Sequence, residues 1–331
     1  MSDFKEDYLQ FEPIINKLKE NYNFQGLWHF TDFTNLKSIF DAGELSSRQT
    51  CVDNKISFLD GANHDVLNWA DASVHNCTRF YYRPKTPTLY VNEGIKSIEY
   101  SNEVHIPRPV YLLFSDQLIY NKYTTFSNGN ATNSPIDNTV EFFYCMDWDN
   151  IFHEGGYNQF DRDNIVNKRH AELLSSKPVS LKYLTNVIFR SNADLLQAIR
   201  VWGKHKFFIV NESYFSDKSN LPITDYRFNN YVKDYNIEYS VTKLIVIFYL
   251  KKSLQDYTVK WRIEDSKGVS KIDSVKATLS VKFNDILNNK VSKIKDASTV
   301  ELTFDYKPSD GDIIKILIND VLSIVEKITV S

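Results

Sequence analysis

Residues 79–94 read RFYYRPKTPTLYVNEG, and this stretch decides what kind of protein the chain is. Its aromatic start, with Thr78 before it, favours a strand. Pro84 and Pro87 stiffen the turn that follows. Arg79, Arg83 and Lys85 are interleaved with Phe80, Tyr81, Tyr82 and Tyr90. Cations set among aromatic rings suit contact with phosphate and stacking on a base. An edge strand with a rigid loop has the same composition, so both readings stand at this point.

Upstream, EPIINKLKENY predicts a helix, with Pro13 in its first turn and Ile14 and Leu18 four apart. QGLWHF reads as a strand. TDFTNLKSIFDAG reads as a helix capped by Thr or Asp, with Phe33, Leu36, Ile39 and Phe40 on one face and Gly43 at its stop. Downstream, strands are expected at PVYLLF (109–114), VEFFYCM (140–146) and NVIF (186–189), and a helix capped by Asn192 at NADLLQAIRVW. FSNGNATNSPIDN (126–138) is rich in turn residues and predicts an exposed loop. These elements describe an α+β domain built on a split or curved sheet.

After about residue 230 the texture changes. Runs of two-residue alternation recur in YSVTKLIVIFYL, YTVKWRIED, ATLSVKF and STVELTFDY, separated by charged turns such as DSKG and KPSDGD. Short alternating strands at this spacing predict a small all-β, sandwich-like domain. The expected division is therefore 1–230 and 231–331. The second part holds neither His nor Cys, which marks it as an accessory or recognition domain.

The 331 residues carry 39 Lys+Arg against 42 Asp+Glu, a net charge of -3, and 42% are hydrophobic. That is ample core material for two domains. The near-neutral balance argues against a non-specific nucleic-acid coat, although a local groove can still supply positive charge. Three widely spaced cysteines predict neither a disulfide framework nor a cysteine zinc site. No apolar run approaches the length of a membrane span, and the amino end lacks the layout of a secretory signal. A cytoplasmic protein without membrane partners is expected. The P-loop, dinucleotide-binding and nucleophile-elbow fingerprints are absent. His29, His64, His75 and His105 are too scattered to hold a metal, so none is expected.

Two further segments carry candidate chemistry. In LWHFTDFTNL, His29 ends a strand and Thr31 opens a helix. They are either a half-buried strand histidine and a cap, or an imidazole and a hydroxyl that hold a ribose and a carboxamide. In KRHAELLSSKPVSL, Glu172 follows Arg169 and His170. It is either a solvated helix residue or the carboxylate of a site.

Taken together and in order, these segments resemble the DarT family of bacterial toxins, ADP-ribosyltransferases that modify nucleic-acid bases with NAD as donor. The resemblance rests on His29-x-Thr31 with Asn35, Leu36, Ile39 and Gly43, then on RFYYRPKTPTLYVNEG. PVYLLF with FSNGNATN and R-x-A-E at Arg169, Ala171 and Glu172 complete it. It covers roughly Gly26 to Ile199, and the common family core ends near residue 215.

The resemblance implies an ADP-ribosyltransferase-like split sheet and assigns roles. Glu172 is the catalytic carboxylate. It stabilises the oxocarbenium character that develops as the nicotinamide–ribose bond breaks, binds a ribose hydroxyl or takes the proton of the incoming base. His29, Thr31 and Asn35 hold NAD, and Arg79 adds a guanidinium for an oxyanion. Arg83, Lys85 and Tyr90 face the substrate. Relatives carry a catalytic arginine between the first helix and the aromatic strand, where this chain has only Arg48 as an arginine, plus Lys55. Arg48 fills that role, or Arg79 does, or other groups hold the diphosphate. The implied target is a base in single-stranded nucleic acid, DNA ahead of RNA, because a duplex hides ring nitrogens. A protein acceptor is the third option. Family habit also implies a toxin paired with an antitoxin, in a toxin–antitoxin or phage-defence setting.

Overall fold

The computed structural model describes residues 3–61, 74, 76–100, 105–218, 220–221, 225–227, 229–251, 257–273, 279–281, 294–296 and 299–329. His64, His75 and most of the ATLSVKF run lie outside them. Two compact units form, one from Met1–Val91 with Val110–Ile188, the other from Asn92–Pro109 with Phe189–Ser331.

The first unit is mixed. Helix α1, Glu12–Tyr22, buries Ile14, Ile15 and Leu18 and ends at Asn23 in the left-handed region, φ 53°. Its strands are β1 (Leu27–Asp32), β2 (Glu44–Leu45), β3 (Thr78–Tyr81), β4 (Pro109–Phe114), β5 (Thr124–Ser127), β6 (Ile136–Asp137), β7 (Glu172–Ser175), β8 (Val179–Ser180) and β9 (Leu184–Phe189). They form a sheet in the order β9-β4-β1-β3-β7-β5-β6, with β2 and β8 paired separately. All six residues of β4 are buried, as an unbroken apolar run requires of a strand covered on both faces.

β3 lies between β1 and β7, so it is an inner strand rather than an edge. It pairs antiparallel with β7, placing Tyr81 opposite Glu172 and Phe80 opposite Leu173. Alternation then puts Arg79, Tyr81 and Glu172 on one face. Phe80, Leu173 and its partner Phe126 take the other, fully buried. Phe126 meets Phe143 and Phe11 there, at centroid distances of 4.7 and 5.6 Å. Aromatics on alternate positions of β3 thus anchor the sheet while the intervening positions stay available for chemistry.

Some local expectations change, including that of an exposed loop at 126–138, where Phe126 and Ser127 are buried in β5. VEFFYCM contains a helix, Val140–Tyr144, not a strand. The Thr139 side chain caps it by accepting from the Phe142 amide, and Val140 and Phe143, three apart, are the buried pair; the cap and that spacing outweigh aromatic strand preference. The helix Asn192–Trp202 is capped by Ser191, whose Oγ accepts from the Asp194 amide, rather than by Asn192. Of the two caps offered for TDFTNLKSIFDAG, Asp32 is the one that forms, and Thr31, expected to open the helix, stays in β1. Helix α2, Leu36–Ala42, stops at Gly43 as expected, with φ 69°.

The second unit contains the short strand β10 (Phe208–Val210) and then β11 (Val232–Tyr239), β12 (Leu244–Leu250), β13 (Tyr257–Glu264), β14 (Ser270–Asp273), β15 (Leu279–Val281), β16 (Ile294–Asp296), β17 (Thr299–Phe304), β18 (Ile313–Ile318) and β19 (Val321–Lys327). Two antiparallel sheets result, β11-β12-β17-β16 and β14-β13-β18-β19 with β15 on β13. Every second residue of β12 and β18 enters one shared core, including Val246, Phe248, Ile314 and Ile316. This is the sandwich that alternation predicts. The fold class is α+β followed by all-β. Ile95 and Ala193, from before residue 231, also pack into the sandwich core.

Candidate active site

Glu172 opens β7 with its side chain only 1% exposed. A carboxylate so placed is stable only if its charge is matched. Arg79, from the neighbouring strand, grips it in two-point fashion: Nε donates to Oε1 at 2.9 Å and Nη2 to Oε2 at 2.5 Å. The Ala131 amide points at Oε2 from 3.4 Å. The backbone of Glu172 is fixed as well. Its amide donates to Ser127 Oγ at 3.0 Å, and its carbonyl accepts from the Tyr82 hydroxyl at 3.3 Å. Burial works against the Arg79 charge, but Glu172, with help from Tyr81, more than offsets it and holds the guanidinium above its ordinary pKa.

Tyr81 is the third member of this face. It lies opposite Glu172 in the register of β3 on β7, and burial, then Glu172, raises its pKa well above the usual phenol value. The ring stacks on Phe30 at 5.5 Å and 9°. The helix Pro87–Asn92 supplies Thr88, whose Oγ1 is 3.0 Å from His170 Nε2.

β1 brings His29 against the backbone of Arg79 and the ring of Phe80. His29 Nδ1 is 2.9 Å from the Arg79 carbonyl. A carbonyl only accepts, so Nδ1 carries the hydrogen and Nε2 is an acceptor. Burial lowers the His29 pKa and keeps the ring neutral near pH 7. Thr31 is buried and its Oγ1 accepts from Asn35 Nδ2 at 3.0 Å. The Asn35 amide also brackets Leu59, donating to its carbonyl at 3.0 Å and accepting from its amide at 2.7 Å.

The sequence-derived candidates therefore separate into groups. Arg79 and Glu172 meet directly, and His29 is joined to them only through the Arg79 backbone carbonyl. Thr31 and Asn35 are joined to each other and hold the segment around Leu59. Arg48, at the start of helix α3 (Arg48–Asp53), pairs with Asp60 at 2.6 Å on that same segment. Arg83 is buried and donates through Nη1 to the carbonyls of Ile151 (3.2 Å) and His153 (2.5 Å). Burial, with Arg169 close by, lowers its pKa to about 10. Lys85 is exposed with φ 56°, its amide donating to the Tyr111 hydroxyl at 2.8 Å, and Tyr90 is half-buried in the helix Pro87–Asn92. Sequence reading treated Tyr81 only as a stacking aromatic and gave Thr88 no role. The clue was the i, i+2 spacing of Arg79 and Tyr81, which puts both on one face of a strand.

Among the described residues no three His, Cys, Asp or Glu side chains gather as a metal site. No helix among them is long and apolar enough to cross a membrane.

Comparison with known proteins adds a family. The profile described as ssDNA thymidine ADP-ribosyltransferase, DarT, matches residues 28–215. Among solved structures, Thermus sp. 2.9 DarT in complex with carba-NAD+ is 15% identical, with a TM-score of 0.45, over 57% of this chain and 97% of that one. The same protein in complex with ADP-ribosylated ssDNA gives 15% and 0.47 over 57% and 95%. Thermosipho africanus DarTG in complex with ADP-ribose gives 12% and 0.47 over 58% and 51%. No protein with a curated description matches the chain.

Proposed function

The chain belongs to the DarT family of ssDNA thymidine ADP-ribosyltransferases, and on that premise we propose that Glu172 is the catalytic carboxylate that passes ADP-ribose from NAD to a thymine of single-stranded DNA. One observation carries the assignment: Glu172 is buried on the polar face of an inner strand pair, ionised against Arg79 and fixed through its own backbone. A charge held rigidly in a dry setting stabilises positive charge developing at the ribose without reorganising when the reaction occurs.

In this reading His29 offers Nε2 to the carboxamide N–H of nicotinamide, and Thr31 offers its hydroxyl to the ribose. Asn35 acts by holding Thr31 and the Leu59 segment. Arg79 has Nε and Nη2 on Glu172 and turns Nη1 to a diphosphate oxygen. Arg48 serves the diphosphate if its pair with Asp60 opens. Arg83 shapes the loop at residues 151–153, which leaves Lys85 and Tyr90 as the groups of the 79–94 stretch that meet the DNA. The base must be unpaired, because its ring N–H is otherwise engaged. Residues 231–331 act as an accessory or recognition domain. We extend the reading to a cytoplasmic toxin restrained by an antitoxin, which follows from how such base-modifying chemistry damages its own host when unrestrained.

The test is incubation with labelled NAD and, separately, single-stranded DNA, duplex DNA, single-stranded RNA and a protein lysate, with Glu172→Gln alongside. Label on thymine-containing single strands that disappears in the variant supports the proposal. Label confined to RNA or to protein overturns the acceptor, and label retained by Glu172→Gln overturns the carboxylate.

A further inference from the structure

In the second unit, buried cations outnumber buried carboxylates at one place. Lys96, Arg108, Arg190 and Lys218 are each at most 5% exposed, and the buried carboxylates beside them are Glu93 and Asp194. Both acids are already engaged. Asp194 Oδ1 pairs with Arg108, at 2.9 Å from Nε and 2.8 Å from Nη2, and the same arginine donates through Nη1 to the Leu322 carbonyl at 2.9 Å. Glu93 pairs with Lys218 at 3.5 Å and accepts from the Ser216 amide at 3.2 Å. The more exposed Glu212 serves the Tyr231 hydroxyl and Lys233.

That leaves Arg190, which stands just ahead of the Ser191 cap of the helix Asn192–Trp202 and is 3% exposed. Among the described residues no carboxylate forms an ion pair with it. Its guanidinium lies 3.8 Å from the centroid of the Tyr231 ring, and Nη2 donates to the Pro107 carbonyl at 3.4 Å. Its Nε has no hydrogen-bond partner among the described residues. A guanidinium keeps its proton in a protein, so a whole positive charge sits in the interior. Contact with an aromatic face offsets only part of what that costs. The neighbouring Lys218 reflects the same excess: burial, opposed by Glu93 and reinforced by Lys96 and Arg190, lowers its pKa from 10.5 to about 7.

Arg190 also lines a narrow pocket with Arg108, Asp194 and Tyr231, walled on its apolar side by Ile95 and Val232. There is room in it for about one water-sized body. We propose that this pocket binds a single small monovalent anion, chloride, as the counter-ion of Arg190. Water could take the Nε hydrogen bond but brings no charge. Sulfate and phosphate are too large for the space, and the apolar walls suit a halide better than a strongly hydrated ion. One negative charge also suffices, because Arg108 is already matched by Asp194. The bound ion would join Arg108 in the segment 92–109, Arg190 before the helix and Tyr231 beside β11. Nothing in this site depends on the chemistry at Glu172.

The experiment is native-state hydrogen exchange of the full chain at the amides of the helix Asn192–Trp202 and of β11, with sodium chloride replaced stepwise by sodium gluconate at constant ionic strength. Arg190→Met and, as a surface control, Lys260→Met run alongside. A ligand that binds only the folded state lowers the open population in proportion to its concentration once it exceeds its Kd, about tenfold for each tenfold rise in chloride. The parent and Lys260→Met should show that fall, and Arg190→Met should show none. Equal protection in chloride and gluconate for the parent overturns the proposal, as does a chloride response that Arg190→Met retains. If Arg190→Met does not fold, crystals of the parent soaked in sodium bromide decide the matter. An anomalous bromine peak in contact with the Arg190 guanidinium, together with the chloride response, supports the site. Density there without anomalous signal is a water and overturns it, and a bromine peak without any chloride response marks an adventitious ion only and overturns it too.

Discussion

Replacing Arg79 with Gln should cost the first unit stability in a way that reports on Glu172. The Glu172 side chain is 1% exposed and that of Arg79 34%. Two charge-assisted hydrogen bonds, at 2.9 and 2.5 Å, vanish together with the matching charge. Breaking a fully buried ion pair from one side costs about 3–5 kcal/mol. Here water reaches the arginine, and Tyr81 and the Ala131 amide still face the carboxylate. Solvent screening and those donors reduce the expected penalty to about 2 kcal/mol.

The measurement is native-state hydrogen exchange at the amides of β3 and β7, where a loss of about 2 kcal/mol raises the open population roughly 30-fold. Arg79→Gln leaves the Glu172 carboxylate in the interior without its partner charge. Removing the second charge as well, in Arg79→Gln with Glu172→Gln, should recover part of the loss, because no orphaned charge remains. If the single costs instead sum to that of the double variant within about 0.5 kcal/mol, the two residues are not coupled and the argument from charge matching fails.

Three further outcomes follow from particular contacts. Gly26 has φ +133°, and a Cβ there would sit 2.3 Å from the Phe114 carbonyl oxygen. Gly26→Ala should lower stability by at least about 2 kcal/mol in urea melts, since strained backbone and a backbone clash coincide. Lys5 Nζ lies 4.0 Å from the Phe126 ring centroid and donates to the Ile119 carbonyl at 3.3 Å. Burial, opposed by Asp7 and Asp137, lowers its pKa from 10.5 to about 8. Between those values the unfolded chain holds a proton that the folded chain has released, so stability should rise with pH across that window. Lys5→Met should flatten the rise, and an unchanged slope would assign it elsewhere. Arg48→Gln removes a part-exposed pair with Asp60; it should cost under about 1 kcal/mol and reduce transfer less than Arg79→Gln does. The reverse order of activities would return the arginine role to Arg48.

The sequence showed most of what depends on neighbours along the chain. Pro13, Gly43 and the apolar run of β4 are local signals, and each marks an element that forms. Alternation exposed the sandwich, because inward positions of β12 and β18 repeat every second residue. Local signals also compete, as in residues 140–144, where Thr139 and the spacing of Val140 and Phe143 override aromatic strand preference. The site was legible as a set of residue types but not as a set of bonds. Arg79 and Glu172 are 93 positions apart, and only the register of β3 on β7 makes them partners. The bracket of Asn35 on Leu59 and the pair of Arg48 with Asp60 need a loop path that no periodicity encodes.

That register also explains why one short strand can serve two ends. Arg79 and Tyr81 are two apart, so β3 presents to Glu172 both the cation that matches its charge and the phenol that stands opposite it. Phe80 and Tyr82, the alternate positions, are buried and hold the strand against the core. A slip of one residue would exchange the two sets, sending a guanidinium into an aromatic core and leaving Glu172 facing Phe80. Both errors are expensive, the first through an unpaired buried charge and the second through an unmatched carboxylate. The packing that makes the strand stable is therefore the same constraint that aligns the chemistry, and the geometry at Glu172 is maintained by Phe80, Leu173 and Phe126 on the far side of the sheet.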